Sequence, residues 1–172
     1  MIEWLTLLIG IILALIALFL IIFMYAPLPW GAPFQPSSKK ETLNVIKLAN
    51  AKKGDKIAEL GSGNGTLVIA LAKKGAIVDG YEINSFLVWW SRKKIKALGL
   101  QKIAKIYKKN FWDVDLSEYN KIALFQIYYV MPKLQKKFEK ELKKGSLVIS
   151  NTWKFRTKKF LKNQGKVYLY KF

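Results

Sequence analysis

The chain contains no cysteine and no histidine. Without cysteine, no disulfide framework, thiol nucleophile or cysteine-bound metal can form. Without histidine, the commonest general base and metal ligand is missing, and no metal site is expected. Acidic residues are scarce: 11 Asp and Glu face 30 Lys and Arg, a net charge of +19 at pH 7. Arginine is scarcer still, with Arg92 and Arg156 alone among those cations. Specific phosphate recognition favours the arginine fork, so nucleic acid is disfavoured as a partner. A solvated lysine surface and attraction to anionic lipid headgroups account for the charge equally well.

What is present begins with an uncharged run. From Trp4 to Tyr25 there are 22 residues without a charge, and Thr6 holds the one polar side chain. As a helix this run measures about 33 Å, enough for a hydrocarbon core of about 30 Å. Trp4, Tyr25 and Trp30 lie near its ends, where aromatic belts form. No cation precedes the run and no small-residue cleavage site follows it, which argues against a cleaved signal peptide. The first cations after it are Lys39 and Lys40. The positive-inside rule then predicts a single-pass membrane protein, N-terminus outside, with the folded domain in the cytoplasm. The expected organisation is a transmembrane anchor over 1–26, a Pro-rich linker over 27–38 and a folded domain over 39–172.

The folded part alternates. Ser37 or Ser38 caps a helix over 39–51, with Leu43, Ile46, Leu48 and Ala49 as its apolar positions. Strands are predicted over 56–60, 77–82, 104–108, 121–129 and 146–152, with a last one over 166–172. Helices are predicted over 65–74, 85–98 and 132–144 between them. This is an α/β pattern: a Rossmann-like, mostly parallel sheet with helices on both faces. Only about twenty residues follow the fifth strand, so the sheet is expected to have six strands or a very short additional one. Trp89 and Trp90 read as packing residues. The lysine run over 133–144 reads as a solvated helix face or one that rests on an anionic membrane.

The densest signal is Glu59-Leu60-Gly61-Ser62-Gly63-Asn64-Gly65, between a strand and a helix. Glycines there permit positive φ and close backbone approach, while the next helix turns its free N–H groups toward a ligand. The second strand ends in Glu82, about twenty residues on, where a nucleoside-binding α/β unit places a carboxylate for ribose hydroxyls. A dinucleotide fingerprint reads G-x-G-x-x-G, and here the third glycine falls one residue early. The alternative pattern, E/D-x-G-x-G-x-G, matches at every position and is that of S-adenosylmethionine enzymes. Glu59 beside the loop suits a cationic sulfonium and ammonium better than a pyrophosphate; its other reading is a cap on loop N–H groups.

Residues Gly61 to Glu82 thus resemble motif I and the following acidic position of class I, seven-strand methyltransferases. Gly31-Ala32-Pro33-Phe34-Gln35-Pro36-Ser37 is similar to the G-A-P-F-x-P-[ST] lead-in of the ATP synthase c-subunit lysine methyltransferase-like family. Gly80-Tyr81-Glu82-Ile83-Asn84 is similar too, and more loosely the stretch from Met131-Pro132 to Asn151-Thr152-Trp153-Lys154-Phe155. That family tends to carry an N-terminal hydrophobic segment. The resemblance implies S-adenosyl-L-methionine as cofactor, held by Glu59, Gly61, Gly63, Gly65 and Glu82. Ile83, Asn110 and Phe111 would contact adenine; many relatives have Asp where Asn110 stands.

The acceptor side falls after the fourth and fifth strands, which makes Tyr128, Tyr129 and Asn151 the candidate catalytic residues, with Trp153 beside them. A lysine amine needs only to lose a proton to become a nucleophile, and water can take it. The expected activity is therefore membrane-anchored methylation of lysine on a small membrane or membrane-associated protein. Methylation of a lipid or quinone-like molecule, a non-catalytic nucleoside-binding module and RNA methylation remain as alternatives.

Overall fold

The computed structural model describes residues 2–25 and 35–172. The first element, α1 (Ile2–Tyr25), is a continuous helix. Every side chain from 3 to 22 is exposed. By length and composition α1 is able to cross a membrane, a property that signal sequences share. The linker residues Pro27, Pro29, Trp30 and Gly31 to Phe34 lie outside the described residues.

The domain opens on α2 (Lys39–Ala49), started by a reciprocal capping box. Ser38 Oγ accepts from the Glu41 N–H, and the Ser38 N–H donates to Glu41 Oε2 at 2.8 Å. Its buried stripe is Thr42, Val45, Leu48 and Ala49 with Asn44, while Leu43 points to solvent. The expected stripe was rotated because Leu43 lies nearly opposite Val45 on a helix of 3.6 residues per turn.

The chain then alternates through β1 (Lys56–Leu60), α3 (Thr66–Ala72), β2 (Ile77–Glu82), α4 (Ser85–Ala97), β3 (Ala104–Lys108), β4 (Lys121–Leu124), α5 (Met131–Glu141) and β5 (Leu147–Asn151). It closes with the hairpin β6 (Lys162–Gln164) and β7 (Val167–Lys171). The seven strands run in the order β3-β2-β1-β4-β5-β7-β6. The first five are parallel, β7 is antiparallel to β5, and β6 pairs antiparallel with β7. The additional strand therefore exists and has 3 residues. Its turn is short enough to fit, with Gly165 at φ +58° and Asn44 Nδ2 donating to Gln164 O at 3.2 Å.

Strand residues alternate between two cores. Ile57, Val78, Ile106 and Ile149 pack with α2, α3 and α4 on one face. Leu60, Ile122, Leu124 and Val148 pack with Leu134, Phe138 and Tyr170 on the other. The fourth strand stops well short of 129. Leu124 pairs with Leu60 on one side and Ser150 on the other; beyond Leu60 the first strand turns away, so the next residues lose a partner. The opposite ends of β1 and β4 are tied by a buried ion pair. Lys121 Nζ lies 2.6 Å from Asp55 Oδ2, and Asn120 Nδ2 donates to Asp55 Oδ1 at 3.0 Å.

Candidate active site

Parallel strands end together, and the crevice forms where strand order reverses, here between β1 and β4. The chain leaves β1 through the glycine turn. The Gly61 and Ser62 N–H groups both donate to Tyr81 O at 2.9 Å. Gly61, Gly63 and Gly65 all have positive φ, +80°, +53° and +73°. A Cβ on Gly61 would lie 2.6 Å from Gln126 Nε2, which itself donates to Leu60 O at 2.9 Å. A Cβ on Gly65 would instead meet Ser91 Cβ of α4 at 2.9 Å. Gly61 therefore clears the cavity wall, whereas Gly65 permits α3 and α4 to pack and does not line the cavity.

Glu82 is buried and braced by three backbone donors. Oε2 accepts from the Gly63 N–H at 2.9 Å; Oε1 accepts from Ile83 and Asn84 N–H at 2.9 and 2.8 Å. Oε2 keeps one acceptor direction for a ligand hydroxyl. Glu59 is different. It receives the Val68 N–H, so it caps α3 where Gly65 at the N-cap has no side chain to do so. Its Oε2 is buried and meets no donor among the described residues. Burial, with Glu82 nearby, pushes its carboxyl well above the ordinary range. A buried acceptor without a donor is costly, and a cationic group entering the cavity would remove that cost.

One cavity gathers Glu59, Gly61, Gly63, Glu82, Ile83, Asn110 and Phe111. Asn110 Oδ1 accepts from the Trp112 N–H at 3.1 Å and starts the short 3₁₀ turn Phe111–Asp113, which holds the Phe111 ring at the wall. The cavity also takes in Thr42 of α2, Gln126, and Gln35, Pro36 and Ser37 from the segment ahead of α2. The strand-and-helix pattern does not reveal that this segment folds back over the site; the Gly31 to Ser37 similarity was its one signal. Gly80, the first residue of the Gly80 to Asn84 similarity, makes room behind the glycine turn: a Cβ there would sit 2.7 Å from Ser62 Cβ.

The acceptor-side candidates do not line this cavity. Tyr128 and Tyr129 are 66% and 46% exposed, because β4 ends before them. They meet edge to face, and Tyr128 lies tilted against Trp153 with ring centroids 5.6 Å apart, an aromatic rim. Asn151 is buried at the end of β5, and its Nδ2 reaches Ser37 Oγ at 3.5 Å. Among the described residues no cluster of acidic side chains is arranged for a metal ion.

Comparison with known proteins agrees with this geometry. The family model described as the ANTKMT methyltransferase domain matches residues 59–162. The chain is 37% identical over 123 residues to the ATP synthase c-subunit lysine N-methyltransferase of mouse, covering 72% of this chain and 49% of that one. It is 33% identical over 128 residues to the Saccharolobus islandicus protein-lysine N-methyltransferase, covering 72% of this chain and 78% of that one. Among solved structures, an RNA methyltransferase from Salinibacter ruber in complex with S-adenosyl-L-homocysteine superposes with a TM-score of 0.77 at 26% identity, over 80% of this chain and 93% of that one. The chain spans about half the length of the mammalian relatives it matches.

Proposed function

The chain belongs to the ANTKMT methyltransferase domain family, and on that premise we propose that it is a membrane-anchored, S-adenosylmethionine-dependent methyltransferase acting on lysine. The observation that carries the cofactor assignment is Glu59 Oε2, a buried acceptor with no donor among the described residues, at the wall of a glycine-lined cavity. Glu59 would take the ammonium of the cofactor's methionine part, and Glu82 Oε2 a ribose hydroxyl. Ile83, Asn110 and Phe111 would hold the adenine. When bound, S-adenosylmethionine supplies a methyl group on a cationic sulfonium.

The remaining work is to present a neutral amine. A free lysine amine titrates near 10.4, and partial desolvation lowers that value. Tyr128, Tyr129 and Trp153 form an exposed aromatic rim that can strip water from the lysine stem and orient its nitrogen through the tyrosine hydroxyls. Asn151 acts through Ser37 as a positioning residue. The amine proton leaves to solvent, in keeping with a chain that has no histidine. A protein acceptor is supported by the relatives named protein-lysine methyltransferases; a membrane location is supported by the length and apolarity of α1. The domain would lie on the cytoplasmic side. RNA methylation is the second reading, favoured by the superposition with the Salinibacter enzyme.

Labelled methyl transfer in native membranes tests the assignment. The expected result is label in the protein fraction, released on acid hydrolysis as methyl-lysine. Label in the lipid extract or in RNA would overturn the acceptor, and no transfer at all would overturn catalysis.

A further inference from the structure

Helix α4 buries Leu87, Val88, Ser91 and Ile95 against the sheet. Its outer stripe, at the i, i+3, i+4 and i+7 positions, is Phe86, Trp89, Trp90 and Lys93. Trp89 and Trp90 read as packing residues from the sequence, yet they are 51% and 45% exposed, and Phe86 beside them is 57% exposed. Phe86 lies against Trp89 and Trp89 against Trp90, with ring centroids 5.8 and 6.0 Å apart. Burying three large rings is among the strongest sources of stability a domain of this size has, so their exposure on one stripe marks an interaction surface.

The surroundings of the stripe are cationic. Lys93 Nζ sits over the Trp89 ring at 5.6 Å. Beside it a shallow groove is walled by Trp89, Arg92, Lys93, Lys96 and Lys108. From Ile83 to Trp112 the chain carries eight cations and no carboxylate. Indole rings ringed by lysines are the composition of a surface that enters the headgroup layer of an anionic bilayer, rings toward the acyl boundary and ammonium groups at the phosphates.

The chain also keeps this surface close to a bilayer. This part rests on the reading of α1 as a membrane anchor. Between Tyr25, the end of α1, and Gln35, which lines the cavity, the backbone spans at most about 36 Å when fully extended. Asn84, which caps α4, and Leu87 on its first turn also line that cavity. We propose that the Phe86–Trp89–Trp90 stripe and its lysine groove are a second membrane contact, which seats α4 in the interface of an anionic bilayer and holds the mouth of the cofactor cavity at headgroup level. An acceptor lysine at the end of a membrane segment is then presented at the height of the site.

The absence of native cysteine makes a clean test possible. Full-length chains carrying one spin label, at Lys93→Cys on the stripe or Lys162→Cys on β6 at the far sheet edge, are reconstituted in vesicles of phosphatidylglycerol and phosphatidylcholine. Flotation reports the anchor. Collision with a water-soluble nickel chelate and with oxygen reports the depth of each label. The expected result is a several-fold fall in chelate collision at position 93 against position 162. The contrast is lost in pure phosphatidylcholine, in Trp89→Ser/Trp90→Ser and in Lys96→Glu/Lys108→Glu, while all of these still float. Equal, water-like accessibility at both positions in a chain that floats overturns the proposal and leaves the anchor standing. A chain that does not float overturns both. Shielding of position 93 by added single-stranded RNA without vesicles, or lipid-independent dipolar broadening between two labelled copies, assigns the stripe to RNA or to self-association and overturns the proposal as well.

Discussion

Glu59→Gln separates the two duties of that carboxylate. The variant is isosteric and retains an acceptor for the Val68 N–H, so the start of α3 stays capped. What it loses is the charge that Oε2 would offer to a cationic ligand. A charge-assisted hydrogen bond is worth about 1.5–3 kcal/mol. At about 1.4 kcal/mol per tenfold, the Kd for S-adenosylmethionine should rise by roughly 10- to 150-fold. The pH dependence is the sharper signature. Burial holds the free protein's Glu59 protonated well above the ordinary carboxylate range. Binding a cation favours the ionised form, so wild-type affinity should climb by about one decade per pH unit below that raised pKa, then level off, with a proton released on binding. The Gln variant should show neither the climb nor the proton.

Stability moves the other way. A carboxyl whose pKa is raised in the folded state contributes stability that is complete below its unfolded value and is lost as pH rises through the folded value. Ligand-free wild type should therefore lose stability against Glu59→Gln as pH rises across that window. Calorimetry in buffers of different ionisation enthalpy counts the proton, and urea denaturation gives the stability. Unchanged Kd in the variant, or pH-independent binding in both proteins, would refute the reasoning.

The glycines divide by neighbour. Gly61→Ala drives a Cβ toward Gln126 Nε2 at 2.6 Å at the cavity wall, and Gly65→Ala drives one toward Ser91 Cβ at 2.9 Å behind it. Both have positive φ and should lose at least about 1 kcal/mol in urea denaturation, but only Gly61→Ala should also weaken cofactor affinity in the molecules that remain folded. Lys121→Met leaves Asp55 buried without its cation and should cost about 3–5 kcal/mol. Despite burial, Lys121 and the Lys52 and Asn120 hydrogen bonds hold the Asp55 carboxyl below its usual value. Its stabilisation is complete above that usual value and lost as pH falls through the depressed one, so the acid-unfolding transition should be shallower in Lys121→Met.

Local chemistry made much of the fold legible. The edges of β1, β2 and β3 coincide with the predicted strands: β1 and β2 are short, largely apolar runs bounded by a turn or an acidic end, and β3 begins as an alternation of apolar and lysine side chains. The glycine turn and Glu82 are signals in consecutive residues, and the turn's backbone needs can be read from residue type alone. The end of β4 was not legible. Phe125 to Met131 is as apolar as a strand, and only the departure of β1 from its side shows where pairing must stop. The same cause moved Tyr128 and Tyr129 from a strand end to an exposed rim. The seat of residues 35–37 at the cavity, and the partner that Asn151 finds in Ser37, depend on contacts between segments far apart in the chain.

By itself the sequence determined the class of fold, the strand-to-helix turn that cradles a nucleoside, and the carboxyl groups beside it. These rest on periodicity, glycine conformation and carboxylate placement, all local properties. Only the tertiary structure decided what each residue faces. Gly65 turned toward Ser91 and away from the cavity, Glu59 divided its oxygens between a helix cap and an open site, and Trp89 and Trp90 were left outside the core. Which side of an element is covered depends on how neighbouring elements pack, and helical or strand spacing specifies a stripe without saying what lies against it.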